Sequence, residues 1–169
     1  MMIESGALTA RGNHYELTGA LSEVAIPTTL RALLMARLDR LGRAKQTAQL
    51  AAALGREFDL ELLTAVGSLD EAAVKEDLGK LAEADLVHHK RRPRNPTWLF
   101  RHALIRDTAY ESMPRRVQHK VHARLAEVIE QRFPEMAEAR PDLLALHHAA
   151  ADPKPQAIGY ASRAARAAL

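Results

Sequence analysis

Leu86-Val87-His88-His89-Lys90-Arg91-Arg92-Pro93-Arg94-Asn95-Pro96-Thr97-Trp98-Leu99-Phe100 decides the fold of this chain. Leu86-Val87-His88-His89 and Trp98-Leu99-Phe100 are short runs, and between them lies a basic loop, Lys90–Arg94, with Pro93 and Pro96. Proline cannot donate to a strand ladder. The loop therefore reads as the tip of a hairpin and the flanking runs as its strands. Three short helical patterns precede it: Ala44–Leu54, stopped by Gly55; Leu60–Val66, capped by Asp59 and stopped by Gly67; and Ser68 to about Ala84. Ser68 with Glu71 resembles a capping box, and Val74, Leu78, Leu81 and Ala82 share the inward face of the third helix. Three helices followed by a hairpin is the order of a winged helix.

Upstream, Ala7-Leu8-Thr9 and Tyr15-Glu16-Leu17 read as a second hairpin, turning at Gly12-Asn13, after a helix end at residues 1–6. Thr28-Thr29 after Pro27 opens a helix to about Leu41, with Leu30, Leu33, Leu34, Leu38 and Leu41 on one face. Downstream, Phe100-Arg101-His102-Ala103-Leu104-Ile105-Arg106-Asp107-Thr108-Ala109-Tyr110 joins a strand to a helix over 103–112. His102 stands at the junction, where the free N–H groups of a helix start attract phosphate. Pro114 breaks the chain before a long helix over 115–132, with Val117, Val121, Leu125, Val128 and Ile129 in one stripe, ended by Pro134. Residues 141–169 contain ten alanines. Pro141 suits the first position of a helix. Ala157, Tyr160 and Ala164 have the small/aromatic spacing of the second helix of a tetratricopeptide repeat.

Composition agrees with packed helices. The 169 residues are 47% hydrophobic but only 4% aromatic, so the core is expected to be Leu, Ala and Val. Without cysteine, disulfides and thiolate metal sites are excluded. No apolar run approaches the roughly 18 residues of a membrane span, and no leader pattern is present. A cytoplasmic protein with no membrane partner is expected. The formal charge is only +3, yet it is unevenly spread. Residues 70–85 carry six acids (Asp70, Glu71, Glu76, Asp77, Glu83, Asp85) against Lys75 and Lys80, a net of −4. Residues 86–124 carry ten Lys/Arg against Asp107 and Glu111, a net of +8. Such sorting marks a face for partners of opposite sign or a surface sorted by chance.

Blocks Glu4-Ser5-Gly6, Ala25-Ile26-Pro27-Thr28-Thr29-Leu30, Leu34-Met35-Ala36-Arg37-Leu38-Asp39-Arg40-Leu41, Gly55-Arg56-Glu57-Phe58 and Phe100–Tyr110 occur in this order over roughly residues 3–165. Together they resemble the winged-helix segment of STAND-type signal-transduction ATPases. The subtype most similar links a class III adenylate/guanylate cyclase, an ATPase module and tetratricopeptide repeats. Large bacterial transcription activators share the same layout. The resemblance implies a mainly α fold. Residues 1–26 would be the end of the ATPase core and a linker hairpin, 27–112 the winged helix, and 113–169 a helical extension with the first tetratricopeptide-like helices. It implies that His102 contacts the phosphates of a bound nucleotide, with Arg101 and Arg106 as helpers, and that Ala103 stands where relatives carry an acid.

No Gly-x-x-x-x-Gly-Lys-Ser/Thr loop is present. The chain itself is therefore expected to have no enzymatic activity and no cofactor. ATP or ADP with Mg²⁺ would be held by the ATPase core of a parent protein, and the chain reads as an excised regulatory piece. The expected partners are that core and the repeat array, with a protein effector beside them. Lys90, Arg91, Arg92 and Arg94 on the hairpin tip, and Arg115, Arg116 and Lys120 on the long helix, form a candidate basic contact surface.

Two other classes stay open: a DNA-binding winged helix, and a protein-interaction module with no nucleotide link. The 68–84 helix would enter the major groove, and its acids oppose the phosphate charge, so nucleic acid is not the expected partner. Metal is not expected. His88 and His89 point to opposite faces of a strand. His119 and His122, three apart on a helix, have no carboxylate spaced to complete a site, and His147-His148 adds none. No nucleophile elbow occurs.

Overall fold

The computed structural model describes residues 8–11, 14–17, 28–90 and 97–151. They fall into two compact units, Met1–Leu33 and Leu34–Leu169. In the first unit, β1 (Leu8–Arg11) and β2 (His14–Leu17) pair antiparallel, Leu8 opposite Leu17 and Arg11 opposite His14. The helix end expected over 1–6 and the Gly12-Asn13 turn lie outside the described residues. Helix α1 (Thr28–Asp39) begins in this unit and continues into the next. Its leucines divide accordingly. Leu38 is buried, with Leu34 and Leu41 packed against the core, whereas Leu30 and Leu33 are exposed although the same face was expected to bury them. Among the described residues, the second half of the helix is the part that meets a core.

The second unit runs α2 (Arg43–Leu54), β3 (Glu57–Asp59), α3 (Leu60–Gly67), α4 (Glu71–Glu83), β4 (Val87–Lys90), β5 (Thr97–Phe100), α5 (Ala103–Glu111), α6 (Arg115–Arg132), α7 (Pro134–Ala139) and α8 (Pro141–Ala151). From α2 to β5 this is the winged-helix order, and the molecule is mainly α with a small antiparallel sheet. The hairpin strands align Val87 with Phe100 and Lys90 with Thr97. The sheet order is β3-β5-β4, so the strand between the first two helices adds to the far edge of the hairpin. That third strand escapes sequence reading. It is three residues long with one buried side chain, Phe58, too short for an alternating pattern. Phe58 is fixed by Phe100, its ring centre 5.5 Å away.

The helix ends follow local chemistry, with two corrections. Asp59 caps α3 as expected, accepting from the Glu61 N–H at 2.7 Å. The cap of α4 is Asp70, accepting from the Ala73 N–H at 3.2 Å, and not Ser68. Ser68 instead closes α3 in the left-handed conformation at φ 49°, and Gly67 stays inside that helix. With Ser68 turned left-handed at the end of α3, the extended residue before α4 is Asp70, and its carboxylate takes the capping role. In α6, Val121, Leu125, Val128 and Ile129 are buried as expected, but Val117 is exposed. Pro134 ends α6 and also occupies the first turn of α7, a short helix with no buried residue, which removes the periodicity that would reveal it. Pro141 opens α8 as expected. Ala157, Tyr160 and Ala164 lie outside the described residues.

Helix α2 lies at the middle of this unit, against α3, α4, α5 and α6. Its buried face is Ala44, Thr47, Ala48, Ala51, Ala52 and Ala53. Side chains this small let four helices approach one backbone, and the larger Leu63, Leu78, Leu81, Leu86 and Phe100 fill the space around it. One polar tie crosses this core. The buried Asp77 of α4 accepts from Thr47 Oγ1 at 2.7 Å and from Arg43 Nε at 3.1 Å. Replacing Ala48 by Leu forces extra methylenes into this contact and is expected to cost about 1–3 kcal/mol. The same change at the exposed Ala72 should stay within about 0.5 kcal/mol. Urea unfolding of both variants checks the difference.

Candidate functional site

The passage from β5 to α5 is built by backbone pairing. Phe100 N–H donates to the Arg56 carbonyl and Arg101 N–H to the Leu86 carbonyl, both at 3.0 Å. The next residue, His102, leaves the sheet in an extended conformation, φ −136° and ψ 147°, and becomes the N-cap of α5. Its carbonyl accepts from the Ile105 N–H at 3.1 Å. Its imidazole is exposed and caps nothing, and no acid stands in the first turn of α5. The result is an open helix start beside a free imidazole. Helix starts hold partial positive charge, and an imidazole adds one donor.

The two arginines flanking this point have other partners. Arg101 Nε lies 2.8 Å from Asp85 Oδ1, with both side chains largely exposed. Arg106 turns inward: Nε donates to the Ala52 carbonyl at 2.9 Å, a terminal nitrogen bonds Asp107 at 3.0 Å, and the guanidinium lies 5.2 Å from the centre of the Tyr110 ring. Arg106 therefore fixes α5 to the central helix, while His102 stays exposed at its start.

The opposite end of α5 is tied to the helices that follow. Gln118 Nε2 donates to the carbonyls of Tyr110 and Met113 at 3.1 and 3.0 Å. Tyr110 Oη lies 2.8 Å from His122 Nε2, and His122 Nδ1 lies 2.9 Å from His147 Nδ1. Both imidazoles are buried. Burial, then the charges of Arg106 and His119, hold the His122 pKa below the ordinary imidazole value. Burial, then His122 and His148, lower His147 to about 4. Sequence reading treated these histidines only as metal candidates. Three partners on three helices, twelve and twenty-five residues apart, leave no local pattern. Among the described residues, no group of three His, Cys, Asp or Glu is placed to hold a metal ion. His119 is exposed while His122 faces inward, and His89 meets Trp98 edge-on at 5.3 Å.

The basic surface is partly described. Lys90 reaches Glu57 at 3.4 Å. Arg91, Arg92 and Arg94 lie outside the described residues. Arg115, Arg116 and Lys120 are exposed at the start of α6. The acidic run at 70–85 is largely answered on its own surface. Lys75 pairs Glu71, Lys80 and Arg43 pair Glu76, Arg101 pairs Asp85, and Asp77 is internal. A groove of about 830 Å³ lined by Asp59, Glu61, Thr64, Leu69, Arg132 and Phe133 includes no residue of α5. Among the described residues, no helix is long and apolar enough to cross a membrane.

Arg106→Ala removes a charged hydrogen bond to a carbonyl of the buried Ala52 and is expected to cost about 1.5–3 kcal/mol. Arg101→Ala breaks an exposed pair and should cost less than about 1 kcal/mol. Thermal unfolding of the two variants separates a positioning arginine from a surface one.

No family model matches the chain, and no solved structure matches it. The chain is 32% identical over 118 residues to an uncharacterized protein of Rhizobium meliloti (strain 1021). The match covers 68% of this chain and 12% of that protein, so the chain spans a small part of its relative's length.

Proposed function

We propose that this chain is the regulatory winged-helix segment of a multidomain signal-transduction ATPase of the STAND type, in which His102 reads the phosphates of a nucleotide held by a neighbouring core. The observation that carries the reading is the exposed, uncapped start of α5 with the His102 imidazole free beside it. Two further features support it. The blocks that resemble such ATPases include Phe100–Tyr110, and the relative's matched region is a small share of a much longer protein. The ATPase core would supply the phosphate-cradling loop and bind ATP or ADP with Mg²⁺. The winged-helix segment would pass the nucleotide state to a repeat array and to an output domain, a nucleotide cyclase or a transcription activator, in the cytoplasm.

The mechanism is differential contact. An imidazole donates to a phosphate oxygen, more strongly when protonated. A nucleotide state that engages His102 more strongly shifts the balance between two domain arrangements by that difference in affinity. Helix α5 carries the shift as a rigid rod, because Arg106 anchors its middle to α2 and Tyr110 and Gln118 tie its far end to α6.

In the full-length parent, His102→Ala is expected to weaken ADP retention by roughly 10- to 100-fold, the worth of a hydrogen bond to a charged group, and to raise basal output. Equal ADP retention and equal output in the variant would leave His102 a surface residue. DNA binding is the second reading, favoured by the helix and strand order. On α4, Lys75 and Lys80 are already paired with Glu71 and Glu76, which leaves no free cation facing phosphate. Filter binding on random duplex at low salt is expected to give no micromolar complex. A micromolar complex with a steep salt slope would favour DNA.

A further inference from the structure

The most unusual buried feature lies away from His102. Tyr110 of α5, His122 of α6 and His147 of α8 form one hydrogen-bonded line through the second core cluster. Leu125, Val128, Ile129 and Leu144 accompany it, and Ala53 of α2 and Leu62 of α3 belong to the same cluster. The hydrogen bonds of the two rings run to Tyr110 and to each other, and among the described residues neither ring bonds a carboxylate. We propose that Tyr110, His122 and His147 form a proton-sensitive clasp, which docks α8 on α6 at neutral pH and releases it on acidification.

The proton arithmetic follows from the two distances. The Nδ1 atoms of His122 and His147 stand 2.9 Å apart, so one proton lies between them, donated by one ring to the other. In the neutral pair two arrangements satisfy the line. Either Tyr110 donates to His122 and His122 to His147, or His147 donates to His122 and His122 to Tyr110. A single added proton leaves one proton between the Nδ1 atoms and both outer nitrogens protonated. Tyr110 can accept from His122 by turning its hydroxyl. A second added proton sets N–H against N–H, and the ring-to-ring bond is lost.

Charged groups on the surrounding helices favour the neutral state. Arg106 of α5 sits over the Tyr110 ring and its charge acts on His122, as does that of His119 on α6. His148 of α8 acts on His147 in the same sense. Asp107 is engaged with Arg106. Glu130 of α6 meets His148 at 3.0 Å. A proton on His148 strengthens that pair, so His148 is not the releasing group.

The sign follows from these directions. Both rings titrate below the ordinary imidazole value while docked, His147 at about 4. The released helix carries solvated histidines, which titrate near 6.5. Released α8 therefore binds more protons between about pH 6.5 and 4. The clasp is at full strength above this window and weakens as the pH falls through it. The His147 difference alone favours release by roughly 10- to 100-fold at pH 4.5 relative to pH 7.5. The clasp requires nothing of His102 and stands whether or not a nucleotide is read there.

Amide hydrogen exchange of the 169-residue chain between pH 7.5 and 4.5, corrected for intrinsic exchange, tests the clasp. The expected result is a loss of protection of roughly 10- to 100-fold in 141–151 while 71–83 keeps its own. The midpoint should coincide with titration of the His122 and His147 ring resonances. His147→Asn keeps a hydrogen-bonding group near the Nδ1 position but cannot take up a proton, and it should flatten the loss. Constant protection of 141–151 in the wild type would overturn the proposal. So would loss in parallel with 71–83, loss while both rings stay neutral, or an unchanged loss in His147→Asn.

Discussion

The alanine face of α2 sets how closely the other helices can approach. Ala44, Ala48, Ala51 and Ala52 are fully buried, and their side chains end one carbon from the backbone. Helices α3, α4, α5 and α6 all pack on this one segment. A larger residue at any of these positions would push one of them outward, because interiors are filled at crystal-like density. Few aromatics are then needed. The core is closed by leucines from α3 and α4 and by the Phe58–Phe100 pair that links the outer strand to the hairpin.

The same helix places the candidate site. Close packing on alanine brings the backbone of α2 within reach of other side chains, and Arg106 uses it by donating to the Ala52 carbonyl. That bond sets the position of α5, whose start is presented by the sheet and whose end is held by Tyr110. A helix fixed at its start, middle and end moves as a body. Displacement at His102 would then be felt at α6 and α8. The two core clusters share Leu50, Leu54 and Tyr110, so the winged helix and the helices after it are packed continuously within their unit.

Much of this was legible in the chain because it depends on local signals. The ends of α2 and α6, the cap at Asp59 and the antiparallel pairing of β4 with β5 follow glycine, proline and carboxylate signals. What was not legible depends on partners distant in sequence. Strand β3 exists because β5 pairs with it, and nothing in Glu57-Phe58-Asp59 announces a strand. Asp77 counted as surface charge until Thr47 and Arg43 were found around it. Arg106, expected as a phosphate helper, is a tether to the Ala52 carbonyl. His122 and His147 enter the sequence reading only as metal candidates, and their meaning comes from each other. His102 was visible because a strand-to-helix junction is local, but its free imidazole required the structure.

The account rests on α5 linking the start of that helix to α8. In the ATPase parent proposed above, hydrogen exchange over 103–111 and 141–151 with ADP and with ATP would measure this link. The account predicts that protection of both segments changes with the nucleotide, and that Tyr110→Phe abolishes the change in 141–151 while leaving that in 103–111. Identical protection of 103–111 and 141–151 in the two nucleotide states would contradict it.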